Sequence, residues 1–341
     1  MLVNLVVAGV AFVAAVGVVE AALRVARPAV AYQYAPQRVI LNHFVESEYL
    51  PSELKRNFQG RFRMLEFDTT VTTNSWGLRD REIDFSKPRI LCLGDSFTFG
   101  FGVENGEAFC AQLEDTFAGR YDVVNAGIPG GAPDTYALWL ARWHDKLQPR
   151  LIIVNVFQND LMDVRGHAWE PAGASRPQRI SQPGMMVTED GAAMRDNAVA
   201  RLPPSMRSLI KESYLVAILR DRLLRDTEAP PEAQAQAPAS SPSVTIPSSS
   251  DPRLAQAFKL LKEAARSTPV VIHLISSKAQ VADSPMDTMV KQFAADAGWP
   301  IVQEYGVFST SDYFEQDGHW LPSGHTKAAH YLHSALERLG L

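Results

Sequence analysis

The chain has 341 residues, 46% of them hydrophobic, so it can bury a sizeable core, and one domain of about 200–250 residues with appendages fits this length better than two equal halves. A net charge of −5 and a pI near 5.9 give no electrostatic ground for a nucleic-acid partner. The only cysteines are Cys92 and Cys110; they form no CxxC pair or Cys/His cluster, so no zinc site is expected. Cys92 reads as a small core residue, and a Cys92–Cys110 disulfide stays open for an exported chain.

From Leu2 to Val19 the sequence is almost wholly apolar, with Asn4 the strongly polar exception. At 1.5 Å per residue this run just crosses a bilayer of about 30 Å. It lacks the basic leader of a signal peptide, so residues 1–22 are expected to be a retained membrane anchor. Residues 23–87 read as a juxtamembrane segment with short strands, Met64–Val71 among them. Arg24 and Arg27 follow the anchor, and by the positive-inside rule they would hold the main domain in the cytoplasm.

The core is expected over residues 88–341. Arg89–Gly94 is an apolar run ended by glycine, the pattern of a buried parallel strand. Glu107–Ala118 carries Phe109, Leu113 and Phe117 at helical spacing. Tyr121–Asn125 is a second strand, Thr135–Leu147 a helix and Arg150–Phe157 a third strand. This alternation predicts an α/β fold: a three-layer α/β/α sandwich around a parallel sheet. Residues 163–250 read as an insertion, with a hairpin at Met185–Met194 and a helix over Pro203–Leu224. Residues 227–252, rich in Pro, Ala and Ser, read as a disordered linker. Val270–Ile275 is a further strand, Met286–Ala297 a helix, Pro300–Gln303 a short strand and Ser323–Leu339 the closing helix.

Four elements carry chemistry. Ser96, in Gly94-Asp95-Ser96, directly follows the first strand, where α/β sheets place their sites. The bland reading is a helix cap. Thr98 replaces the second glycine of a G-x-S-x-G elbow, which disfavours the α/β-hydrolase fold. Gly127 ends the second strand and Asn159 follows the third. The backbone N–H groups of Ser96 and Gly127 with the Asn159 amide could form an oxyanion hole. Finally, His319 precedes the closing helix, with Asp317 two residues before it. A serine needs such a base, and the base needs a carboxylate to fix its tautomer.

These four blocks resemble the SGNH (GDSL-like) hydrolase superfamily. The likeness covers roughly residues 70–165 and 265–341. It extends to bacterial members with an N-terminal membrane helix, through Asn74, Gly77 and Arg79 ahead of the core and then Gly102-Val103. The resemblance implies an SGNH/flavodoxin-like fold and ester hydrolysis or acyl transfer, with no metal or cofactor. It also places the domain outside the cytoplasmic membrane, against the charge flanks. One departure stands out: the common block is Asp-x-x-His, whereas here Gln316 stands at that position and Asp317 is one residue closer. Asp-x-His-Trp resembles carbohydrate O-acetylating relatives. Glu315 and Asp312 are fallback acids. His325, His330 and His333 read as solvated helix-face residues rather than metal ligands, and Trp76, Trp139, Trp143 and Trp320 as core or pocket wall.

The expected activity is an esterase or deacetylase on a short acyl ester of a carbohydrate or lipid. The alternatives are an O-acyltransferase acting on cell-envelope polysaccharide and a catalytically silent glycan-binding protein.

Overall fold

The structure, a computed structural model, describes residues 2–26, 44–45, 53–63, 66–160, 164, 169–172, 176–179, 185–187, 193–195, 203, 206, 213–225, 252–278, 285–304, 306–315 and 317–341. The linker expected at 227–252 lies outside them, apart from Pro252. The chain divides into two compact units.

One unit contains the N-terminal helix α1, Leu2–Ala26. It is longer than the expected anchor by about a turn, and Val7–Ala26 is apolar and long enough to be a candidate membrane span. This unit also holds the anticipated hairpin, in which Met185–Val187 pairs antiparallel with Ala193–Arg195. The helix expected over 203–224 is seen as Tyr214–Arg225. Glu20 of α1 accepts from the Tyr214 and Leu215 N–H groups at 3.0 Å, capping that helix.

The other unit is built on five parallel strands: β1 (Arg89–Gly94), β2 (Asp122–Gly127), β3 (Leu151–Val156), β4 (Val270–Leu274) and β5 (Ile301–Gln303). Their spatial order is β5-β4-β3-β1-β2. β1 to β4 are buried at every residue, which explains why, apart from Arg89, Asp122, Asn125, Asn155 and His273, their residues are apolar on both faces rather than alternating. Side chains on β1 nonetheless divide between two cores. Leu91 and Leu93 pack with helices α2 (Pro133–Leu147), α3 (Pro252–Ala265) and α4 (Pro285–Ala297) on one face. Ile90 and Cys92 pack with α5 (Phe109–Thr116) and α6 (Pro322–Arg338) on the other. This is the three-layer α/β/α sandwich.

Two expectations change, and the open question of a Cys92–Cys110 disulfide is answered. The strand placed at Met64–Val71 is Asp68–Thr72, and it pairs with Gln59–Arg63, whose Phe62 is buried. The insertion ends in helix α3, which the reading of 163–250 and its linker passed over. Cys92 and Cys110 are free and buried, and burial pushes the Cys110 thiol well up, with Cys92 beside it adding to the shift. They pack as small apolar groups.

Candidate active site

In an open parallel sheet, sites form beyond the carboxyl ends of the strands where the strand order reverses. Here the chain moves from β1 outward to β2 and then back across to β3, so that point lies between β1 and β3. Ser96 follows β1 and Asn159 follows β3. Topology therefore brings these two residues to one crevice.

β1 ends in Gly94, and Asp95 caps the one-turn helix Ser96–Phe99 by accepting the Phe97 N–H at 2.9 Å. The helix-cap reading of Asp-Ser thus holds for Asp95, while Ser96 is left for another partner. His319 Nε2 lies 2.7 Å from Ser96 Oγ, and His319 Nδ1 lies 2.5 Å from Asp317 Oδ1. Asp95 Oδ2 is a longer second neighbour of the hydroxyl, at 3.2 Å. Burial raises the Asp95 carboxyl, outweighing the His319 charge and the Phe97 N–H that lower it.

The short Asp-x-His spacing works because of Gly318, at φ 83°. This left-handed residue folds the chain so that Asp317 Oδ1 also accepts the His319 backbone N–H at 3.3 Å. One carboxylate oxygen thereby meets both the backbone and the ring of its neighbour. Burial pushes Asp317 up, but the hydrogen bond and charge of His319 outweigh it and hold the carboxyl below its usual value. Asp317 is thus ionised at neutral pH. The fallback acid Asp312 is engaged elsewhere. Asp312 accepts from Ser309 and pairs with Lys327 at 2.6 Å; burial opposes these bonds, which nonetheless hold it down to about 2. Glu315 contributes its backbone N–H to Glu66.

Phe97 and Phe101 flank the imidazole, with centroids 4.7 and 4.5 Å away, Phe101 stacked. His319 and Asp317 keep 19% and 18% side-chain exposure, so the pair is sheltered yet reachable.

Gly127 departs from its expected role. Its N–H donates to Asn125 Oδ1 at 3.0 Å and is committed within its own strand. The reason for glycine here is packing: a Cβ would stand 2.2 Å from the Phe99 nitrogen and 2.6 Å from the Thr98 carbonyl carbon. Gly127 lets β2 lie against the backbone of the one-turn helix Ser96–Phe99. The following turn stays beside the end of β1, with Ile128 N–H donating to Gly94 O at 2.9 Å.

His325 is a second correction. It is buried rather than solvated, accepts the Phe109 N–H at 3.2 Å and packs against Trp320. Among the described residues no three His, Cys, Asp or Glu side chains gather as a metal site. Trp139, Trp143 and Trp320 are buried in the two cores, and Trp76 packs on Trp143.

Sequence reasoning missed the support behind Ser96. Arg79, known only as part of a motif, is buried, with its guanidinium 4.7 Å from the Phe99 ring. It donates to the carbonyls of Phe99 at 3.1 Å, Gly100 and Val103, and to Asn105 Oδ1 at 2.8 Å. The cation satisfies carbonyls that the one-turn helix leaves open. A charged residue spaced from a glycine turn was the only sequence signal.

A family model described as the GDSL-like Lipase/Acylhydrolase family matches residues 92–331. Solved structures to which this chain shows similarity include TesA, 14% identical over 74% of this chain and 99% of that one, with a TM-score of 0.41. The inhibitor-bound aryl esterase of M. Smegmatis is 11% identical over 74% and 99%, with a TM-score of 0.39. No curated protein matches the sequence.

Proposed function

Since the chain belongs to the GDSL-like lipase/acylhydrolase family and is an ester-bond hydrolase, we propose that Ser96, His319 and Asp317 are its catalytic triad. The continuous contact from Ser96 Oγ through His319 to Asp317 carries this reading. With Asp317 ionised, His319 Nδ1 holds the proton and Nε2 presents its lone pair to the serine. The hydroxyl proton passes to Nε2 as Oγ attacks the ester carbonyl. The imidazolium that forms is stabilised by Asp317, then protonates the departing alcohol. Water, deprotonated by the same base, releases the acyl group.

The tetrahedral oxyanion would be met by the Ser96 N–H and the Asn159 side-chain amide. We place a third donor at Gly130 rather than Gly127. Gly130 has φ 71° and open space where a side chain would stand, so a substrate can approach its backbone closely.

The substrate we propose is a short-chain acyl ester, such as acetyl, of a carbohydrate or lipid. The membrane-anchor reading of α1 and an extracytoplasmic site agree with an envelope substrate. The Asp-x-His-Trp block also favours O-acyl transfer to a polysaccharide, in which a sugar hydroxyl replaces water. Product analysis with an acyl donor and a glycan acceptor separates the two, since hydrolysis yields only free acid. The triad itself is tested by Ser96→Ala, which should lower hydrolysis of an activated acetyl ester by about 10⁶-fold and abolish fluorophosphonate labelling. Unchanged turnover would refute it.

A further inference from the structure

Glu66 stands between the paired strands Gln59–Arg63 and Asp68–Thr72, ahead of the α/β core. Its two carboxylate oxygens hold two different backbone groups of the Asp317 segment. Oε1 accepts the Glu315 N–H and Oε2 the Asp317 N–H, each at 2.7 Å. Lys278, just beyond β4, binds the same segment through its carbonyls: Nζ donates to Phe314 O at 3.2 Å and Glu315 O at 2.6 Å. An anion takes the N–H groups and a cation takes the C=O groups, each matched in charge to its backbone partner.

The neighbouring ring reaches the base as well. Phe67 lies 5.3 Å from Phe314 and 5.6 Å from Phe101, which is itself stacked on His319. With the Asp317 nitrogen fixed, only its φ and two side-chain torsions remain to aim its carboxylate at Nδ1. A displacement of about 1 Å would lengthen that 2.5 Å contact past hydrogen-bonding strength.

We propose that Glu66, acting with Lys278, is a positioning residue that clamps Phe314–Asp317 and thereby keeps Asp317 on His319. The proposal rests on the triad reading above. The segment before the core is then a part of the catalytic apparatus.

The test uses the full chain in detergent, with Glu66→Gln and Glu66→Ala made alone and in an Asp317→Asn background. Glu66→Ala should lower kcat on an activated acetyl ester by about 100-fold with KM nearly unchanged. Glu66→Gln, which keeps one acceptor oxygen, should lose less. In the Asp317→Asn background the same change should cost no more than about twofold, because the group being positioned is already disabled. The downfield His319 Nδ1 proton resonance should weaken in Glu66→Gln and vanish in Glu66→Ala, reporting the pair without any turnover. Should Glu66→Ala fail to fold, Glu66→Gln and Lys278→Met carry the same comparison. Equal losses in both backgrounds, or an unchanged Nδ1 resonance, would overturn the clamp. An active Ser96→Ala enzyme would instead sink the triad reading, so the two failures are distinguishable.

Discussion

His325 makes the chain sensitive to acid in a calculable way. The ring is fully buried beneath Trp320, and its Nδ1 accepts the Phe109 N–H, which requires the neutral form. Burial, with smaller contributions from the Arg79 and His319 charges, pushes its pKa down to about 3. In the unfolded chain it would titrate near 6.5. Between those values the unfolded state holds more protons than the folded state, so stability falls as the pH falls. The loss is about 1.4 kcal/mol per pH unit, or roughly 2 kcal/mol between pH 6.5 and 5 and about 5 kcal/mol by pH 3. Replacing His325 by Gln keeps an acceptor for Phe109 and removes the titration. Urea unfolding of both proteins near pH 7 and near pH 5, followed by tryptophan fluorescence, measures the effect. The stability gap between them should shift by about 2 kcal/mol in favour of the variant at the lower pH. Asp80, raised to about 7 by burial, titrates in the opposite sense, but it does so equally in both proteins and drops out of the difference. A gap that does not move with pH would refute the assignment of His325 as a buried neutral ring.

Asp317→Asn should lower kcat by about 10⁴-fold, whereas Asp312→Asn and Glu315→Gln should leave most of the activity, as steady-state kinetics would show. Asn159→Ala should reduce kcat by about 10²–10³-fold with little change in KM if its amide meets the oxyanion. A fragment beginning at Pro88 keeps every block that carries the family resemblance from Ser96 onward, yet loses Glu66, Phe67 and Arg79. It should fold poorly and show almost no turnover compared with the full chain, read by circular dichroism and ester hydrolysis.

The sheet was legible because parallel strands buried on both faces read as near-continuous apolar runs, as Ile90–Leu93 and Leu151–Val154 do. Helix α3 escaped notice because it emerges directly from a Pro/Ala/Ser-rich stretch and shares no motif with its neighbours. Ser96 and His319 could be read because each sits next to a landmark, one after a strand and one before the closing helix. Gly127 misled for a related reason. A glycine at a strand end suggests an open N–H, while the need to pack against the Thr98–Phe99 backbone leaves the same mark in the sequence.

What supports the site was illegible, since its contacts join residues remote along the chain. Glu66 and Asp317 are separated by 251 positions, and no spacing rule links them. Arg79 shows the same dependence at shorter range, for its donors serve carbonyls that exist as a cluster only once the turn after Ser96 has formed. The unusual Asp-x-His spacing ties these levels together. A left-handed Gly318 lets one carboxylate oxygen reach both the N–H and the ring of His319, but this tight turn can aim the ring at Ser96 only if its base is fixed. Glu66 and Lys278 bind the turn's leading strand of backbone, and Phe101 bears on the imidazole from the opposite element. The shorter acid–base spacing and the external grip on Phe314–Asp317 are therefore two parts of one arrangement.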